Sequence, residues 1–164
     1  MSSEKKDPFD ESSWGSLRYS SATAAIVKRA RYTMNALGMM FSQEDAASPK
    51  FSFVEGGELP SLGKFVTPLG TAEVRLGWRF EPSSRQHDFD DVHGAIAVLV
   101  KDSTSSSPQL VPVDWQVDVT QYGAVKALSG GFERVLSDPQ GRFSTDMNYY
   151  QAGMALYRAI AAAS

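Results

Sequence analysis

Two segments of this chain alternate so strictly that they fix the class of fold before anything else is read. Ala72, Val74, Leu76, Trp78 and Phe80 are interleaved with Glu73, Arg75, Gly77, Arg79 and Glu81. Val111, Val113, Trp115, Val117 and Val119 are interleaved in the same way with Pro112, Asp114, Gln116, Asp118 and Thr120. A period of two puts every second side chain on one face, so each segment is a strand with one buried and one wet side. Strands of that kind build antiparallel sheets covered on one face. Between them, Gly94 to Val100 is apolar at every position. It reads as a central strand covered, at least in part, on both sides.

The rest of the chain supplies the cover. Ile26, Ala30, Met34, Leu37 and Phe41 recur at helical spacing and predict an amphipathic helix over Ala22 to Gln43. Tyr150, Met154, Tyr157 and Ala161 form one stripe of a closing helix over Thr145 to Ala162, and Tyr149, Gly153, Leu156 and Ile160 form a second. Phe51 to Val54 and Lys64 to Thr67 read as short strands, separated by Gly56-Gly57 and Pro60. Thr67-Pro68-Leu69-Gly70 reads as a turn, and Ser103 to Pro108 as a loop. Phe132 to Leu136 reads as one or two helical turns. The expected fold is therefore α+β: an antiparallel, meander-like sheet of about five strands, with an N-terminal and a C-terminal helix packed on one face. Residues 1–21 are expected to be a disordered or loosely docked tail, and residues 22–164 a single domain.

Composition narrows the chemistry. The chain has 164 residues, a formal charge of −3 and no cysteine. Disulfide scaffolds, cysteine zinc sites and a cysteine nucleophile are excluded. The longest uninterrupted apolar run, Ala95 to Val100, is far shorter than the roughly 20 residues a membrane helix needs. No secretory pattern opens the chain. The expectation is a cytoplasmic protein that does not insert into membranes and carries no cofactor.

Three constellations compete for a functional role. His87, Asp88, Asp90, Asp91 and His93 combine both imidazoles of the chain with three carboxylates. That mixture suits a divalent metal or acid–base chemistry, although it equally suits a wet loop between strands. Lys28, Arg29 and Arg31 on the first helix, with Arg75 and Arg79 on a strand, would bind phosphates or nucleic acid if they converged. Interleaved Glu73 and Glu81, with Asp114 and Asp118 nearby in the sheet, make ion pairing the plainer reading. Trp78, Trp115, Tyr149, Tyr150 and Tyr157 would line a ligand cavity or an interface, or simply fill the core. Asp7-Pro8-Phe9, in the acidic tail, has the form of a short docking motif, with a solvated tail as the plainer reading.

No catalytic residues are assigned: there is no G-x-S-x-G serine, and Asp90 and Asp91 are neighbours that would face opposite sides of a strand. Scarce reactive groups, a closing helix with a wide apolar arc and adaptable methionines at Met34, Met39 and Met40 favour a non-catalytic interaction module. It would bind a protein partner, with self-association as a homodimer included. A small-ligand or metal-binding cavity protein using the His87 to His93 segment is the alternative. A nucleic-acid binder is the third, less favoured reading.

Overall fold

A computed structural model describes residues 16–42, 50–81, 91–102, 106, 109–138 and 146–163. Helix α1, Ser16–Ser42, is followed by strands β1, Ser52–Glu55; β2, Ser61–Thr67; β3, Gly70–Glu81; and β4, Asp91–Lys101. Then come β5, Leu110–Thr120; β6, Val125–Ser129; β7, Phe132–Ser137; and helix α2, Asp146–Ala163. The strands form one seven-stranded sheet in chain order, and each neighbouring pair is antiparallel. The class and both helices match the expectation from sequence. The strand count of about five does not, because the sheet has seven.

The two extra strands, β6 and β7, lie in the stretch that looked partly helical. Phe132, Val135 and Leu136 stand at i, i+3 and i+4, which is helical spacing. The backbone instead makes a hairpin. Gly130 and Gly131 adopt φ of 60° and 81°, the left-handed pair that a two-residue turn demands, between the paired residues Ser129 and Phe132. A register shift between Val125 and Lys126 then breaks the alternation. α1 also begins at Ser16, six residues before the expected start at Ala22. Neither glycine nor proline occurs between Gly15 and Gly38, so nothing interrupts the helix there, and only its polar character hid it.

Both helices lie on the same face of the sheet. Ile26, Ala30, Met34, Leu37 and Phe41 of α1 and Tyr149, Ala152, Leu156 and Ile160 of α2 join one cluster with Phe65, Val74, Leu76, Ile96, Val98, Trp115, Val117, Val119 and Ala127. α1 packs over β1, β4 and β5, whereas α2 packs over β5, β6 and β7. Each of the largest apolar side chains buried here contributes roughly 1.5–3 kcal/mol. Leu62, fully buried, enters from a bulge in β2, where Gly63 takes φ 139° beside the carbonyl of Val54.

Two close approaches set the helix positions. A Cβ on Gly94 would lie 2.6 Å from Cγ2 of Ile26, so α1 touches the backbone of β4. A Cβ on Gly153 would collide with Cε2 of Phe41, so the Phe41 ring sits on the backbone of α2. Phe41 also stacks on Phe51 at 4.3 Å and on Tyr150 at 5.5 Å.

The expected cover of β4, at least in part on both sides, takes different forms on its two faces. Val92, Ile96, Val98 and Val100 are buried under the helices. Ala95, Ala97 and Leu99, on the opposite face, are only half-buried. No described helix lies over them. Their cover comes from register neighbours: Arg75 and Gln116 flank Ala97, and Asp118 flanks Ala95.

Two stability measurements test this packing. Gly153→Ala should destabilise by about 1–3 kcal/mol in urea unfolding, because Phe41 must leave its seat. Trp115→Ala should cost about 3–5 kcal/mol by leaving a cavity at a ring only 3% exposed. An unchanged midpoint in either variant would contradict the corresponding contact.

Candidate functional site

The helix-free face of the sheet is charged, and both of its strand β3 arginines are already paired. Arg75 Nε lies 3.0 Å from Glu73, Arg79 Nε 2.7 Å from Glu81, and Arg79 Nη2 3.4 Å from Asp118. Gln116 donates to the other oxygen of Asp118 at 2.6 Å. Burial opposes the charge of Arg79, but Asp118 and Glu81 outweigh it and hold the guanidinium above its ordinary pKa. Lys126 and Glu133 are 3.3 Å apart on the same face. Lys28, Arg29 and Arg31 belong to α1, on the other side of the sheet, where Arg31 pairs with Glu55 at 3.3 Å. The structure therefore does not bring the two basic sets together into one surface.

Of the His87 to His93 segment, His87, Asp88 and Asp90 lie outside the described residues. Asp91 is 2% exposed and accepts a hydrogen bond from the Tyr122 hydroxyl at 2.8 Å. His93 Nδ1 lies 3.4 Å from Glu81 Oε2. Among the described residues, no three His, Asp or Glu side chains converge as a metal would require. Asp7-Pro8-Phe9 also lies outside the described residues.

The five aromatic candidates divide. Trp115 and Tyr149 are core residues, and the Trp115 indole donates to the carbonyl of Ala152 at 3.0 Å, tying β5 to α2. Tyr150 and Tyr157 are half-buried on α2. Trp78 is apart from them, on the helix side of β3 opposite Gly94, and is 40% exposed in an open groove beside α1. Phe80, its neighbour on that face, is 60% exposed.

Trp115 and Tyr150 meet at a groove of about 530 Å³ between α2 and the β6–β7 hairpin. Trp115, Ala127 and Ala152 form its floor; Tyr150, Met154, Ala155 and Arg158 form the helix wall; and Leu128, Phe132 and Arg134 form the hairpin wall. Arg134 is held by the Gln151 side chain and by the Glu133 carbonyl, each at 2.9 Å. Phe132, beside the Gly-Gly turn, is 75% exposed at the lip. Ser129, Ala155 and Arg158 also line a second groove of about 540 Å³, bordered by Val113, Ala159 and Ala162. The two grooves thus run on along α2. Small residues at 155, 159 and 162 keep that side of the helix low. Sequence reasoning missed Phe132, Met154, Arg134 and Arg158 as site residues, although Gly130-Gly131 could have signalled the hairpin that assembles them.

Compared with protein-family models, with curated proteins and with solved structures, the chain matches none. No described helix is long and apolar enough to cross a membrane.

The Tyr149 hydroxyl is buried where α2 crosses α1, with no hydrogen-bond partner in good geometry. The nearby Thr33 hydroxyl donates instead to the Arg29 carbonyl at 2.9 Å. Burial first, then Tyr32, pushes the Tyr149 pKa up to about 12, against the pull of Thr33 and Arg29. An unfolded tyrosine titrates near 10, so the unfolded state loses this proton first. Stability is therefore lost as pH rises from about 10 through about 12. Tyr149→Phe should stabilise by up to about 1 kcal/mol at neutral pH. It should also flatten the alkaline loss in urea midpoints measured at pH 8 and pH 11. A variant less stable than the parent would show that the hydroxyl is satisfied.

Proposed function

We propose that this chain is a non-catalytic protein-interaction module that binds an extended peptide segment of a partner in the groove along α2. The observation that carries the reading is Phe132. A phenylalanine 75% exposed beside a tight turn contributes little to the core, yet it stands over a floor made by Trp115. Exposed aromatic anchors over a partly apolar groove are typical of binding hot spots.

Dimensions and charge support the same reading. Tyr150 to Ala163 spans about 20 Å of helix, enough for roughly six residues of extended chain. Arg134 and Arg158 both line the groove, and Arg134 is held in place by its own hydrogen bonds. The fitting segment carries an apolar side chain for the Trp115, Tyr150 and Met154 pocket and a carboxylate for the arginines. The wide apolar arc of α2 is accounted for on this reading: one stripe packs inward, and Tyr150 and Met154 of the other line the groove.

Selection from a displayed random-peptide library on the immobilised protein tests it. Peptides of that pattern should be enriched. Phe132→Ala should weaken them by about 2 kcal/mol, roughly 30-fold, without moving the urea midpoint. Ala155→Trp, which fills the groove, should abolish binding. Absence of enriched peptides, or binders indifferent to both substitutions, would overturn the reading.

A further inference from the structure

We propose that a second groove, between α1 and the Trp78 end of β3, is the docking site of the chain's own N-terminal segment Asp7-Pro8-Phe9-Asp10-Glu11. The groove has a volume of about 740 Å³ and runs along α1 past Thr23, Val27, Lys28 and Arg31, facing Leu59 and Trp78. Leu59 and Trp78 are 45% and 40% exposed, so the wall opposite the helix is apolar and open. Lys28 has no ion pair or hydrogen bond among the described residues, while Arg31 and Asn35 share Glu55. The site therefore offers an exposed indole beside an unneutralised cation. Its complement is a short segment carrying a ring and carboxylates.

Fifteen residues precede α1, and they hold such a segment. Reach permits it. From Ser16 to Lys28 is twelve residues, about 18 Å of helix. An extended chain advances about 3.3 Å per residue, so about six residues cover that distance, and fifteen leave enough for the reversal at the start of α1 as well. Pro8 favours the extended form at Asp7 and removes one backbone donor that would otherwise need a partner. Because the segment is tethered, its effective concentration at the groove is in the millimolar range, so a few contacts suffice to hold it.

The test uses the full-length chain, following the Trp78 indole N–H in ¹H–¹⁵N spectra, with the Trp115 indole as a control for intact folding. Asp10→Lys alone and Lys28→Glu alone should each shift the Trp78 signal, and the double swap should return it toward its original position. Phe9→Ala should shift it in the same direction as Asp10→Lys, and raised salt should reproduce the effect. Should Lys28→Glu disturb the Trp115 signal, Lys28→Gln replaces it. A Trp78 signal indifferent to the N-terminal substitutions overturns the proposal. So does a signal that moves with protein concentration, which would seat a second copy in the groove, or one that answers instead to Asp88→Lys and Asp90→Lys.

Discussion

The ring of Phe41 resting on the backbone of α2 at Gly153 is the contact on which the architecture turns. It joins the two ends of the chain, because α1 precedes the whole sheet and α2 follows it. Ile26 on Gly94 does the corresponding work between α1 and β4. With both glycines in place, α1 and α2 lie close to each other and to the sheet. A methyl group at either position would lift a helix away from its support and disturb every side chain beneath it.

That arrangement has a geometric consequence. Seven strands at about 4.8 Å spacing make a sheet roughly 29 Å wide, whereas two helices packed 8–10 Å apart cover only about 20 Å. Two helices cannot roof a face of that width. The gaps in the roof are the grooves: one between α2 and the β6–β7 hairpin, where Phe132 stands, and one alongside α1 at the end of β3, where Trp78 stands. The opposite face carries no helix among the described residues, and its arginines Arg75 and Arg79 are neutralised by Glu73, Glu81 and Asp118. The exposed rings of Trp78, Phe80 and Phe132 stand on the helix side, whereas the exposed apolar side chains of the opposite face, Val54, Val66, Leu110 and Val135, are aliphatic.

Much of the fold was legible because alternation and helical spacing are local signals. Ala72 to Phe80 and Val111 to Val119 announced β3 and β5, and the stripe from Ile26 to Phe41 announced α1. β6 and β7 were not legible for a physical reason. They lie at one edge of the sheet, β7 has one paired neighbour, and a register shift interrupts its alternation. The candidate site was less legible than the fold. Trp115 and Tyr150 were named, but their role depends on Phe132, Arg134, Met154 and Arg158, which come from another hairpin or another turn of the helix. Arg75 and Arg79 looked available and are paired, since cross-strand partners such as Asp118 cannot be assigned without the register.

The sequence by itself determined the class: an antiparallel sheet with one apolar face, a helix at each end, and no cysteine chemistry. Those properties follow from periodicity and composition, which each segment carries alone. The tertiary structure decided the number of strands, the partners of the charges, and which aromatic side chains are core and which are surface. Trp78 and Trp115 show why. Both occupy the apolar side of an alternating strand, but Trp115 lies beneath α2 and Trp78 lies beside α1 in an open groove. Burial is set by what lies across the layer, and no local pattern along a strand records that.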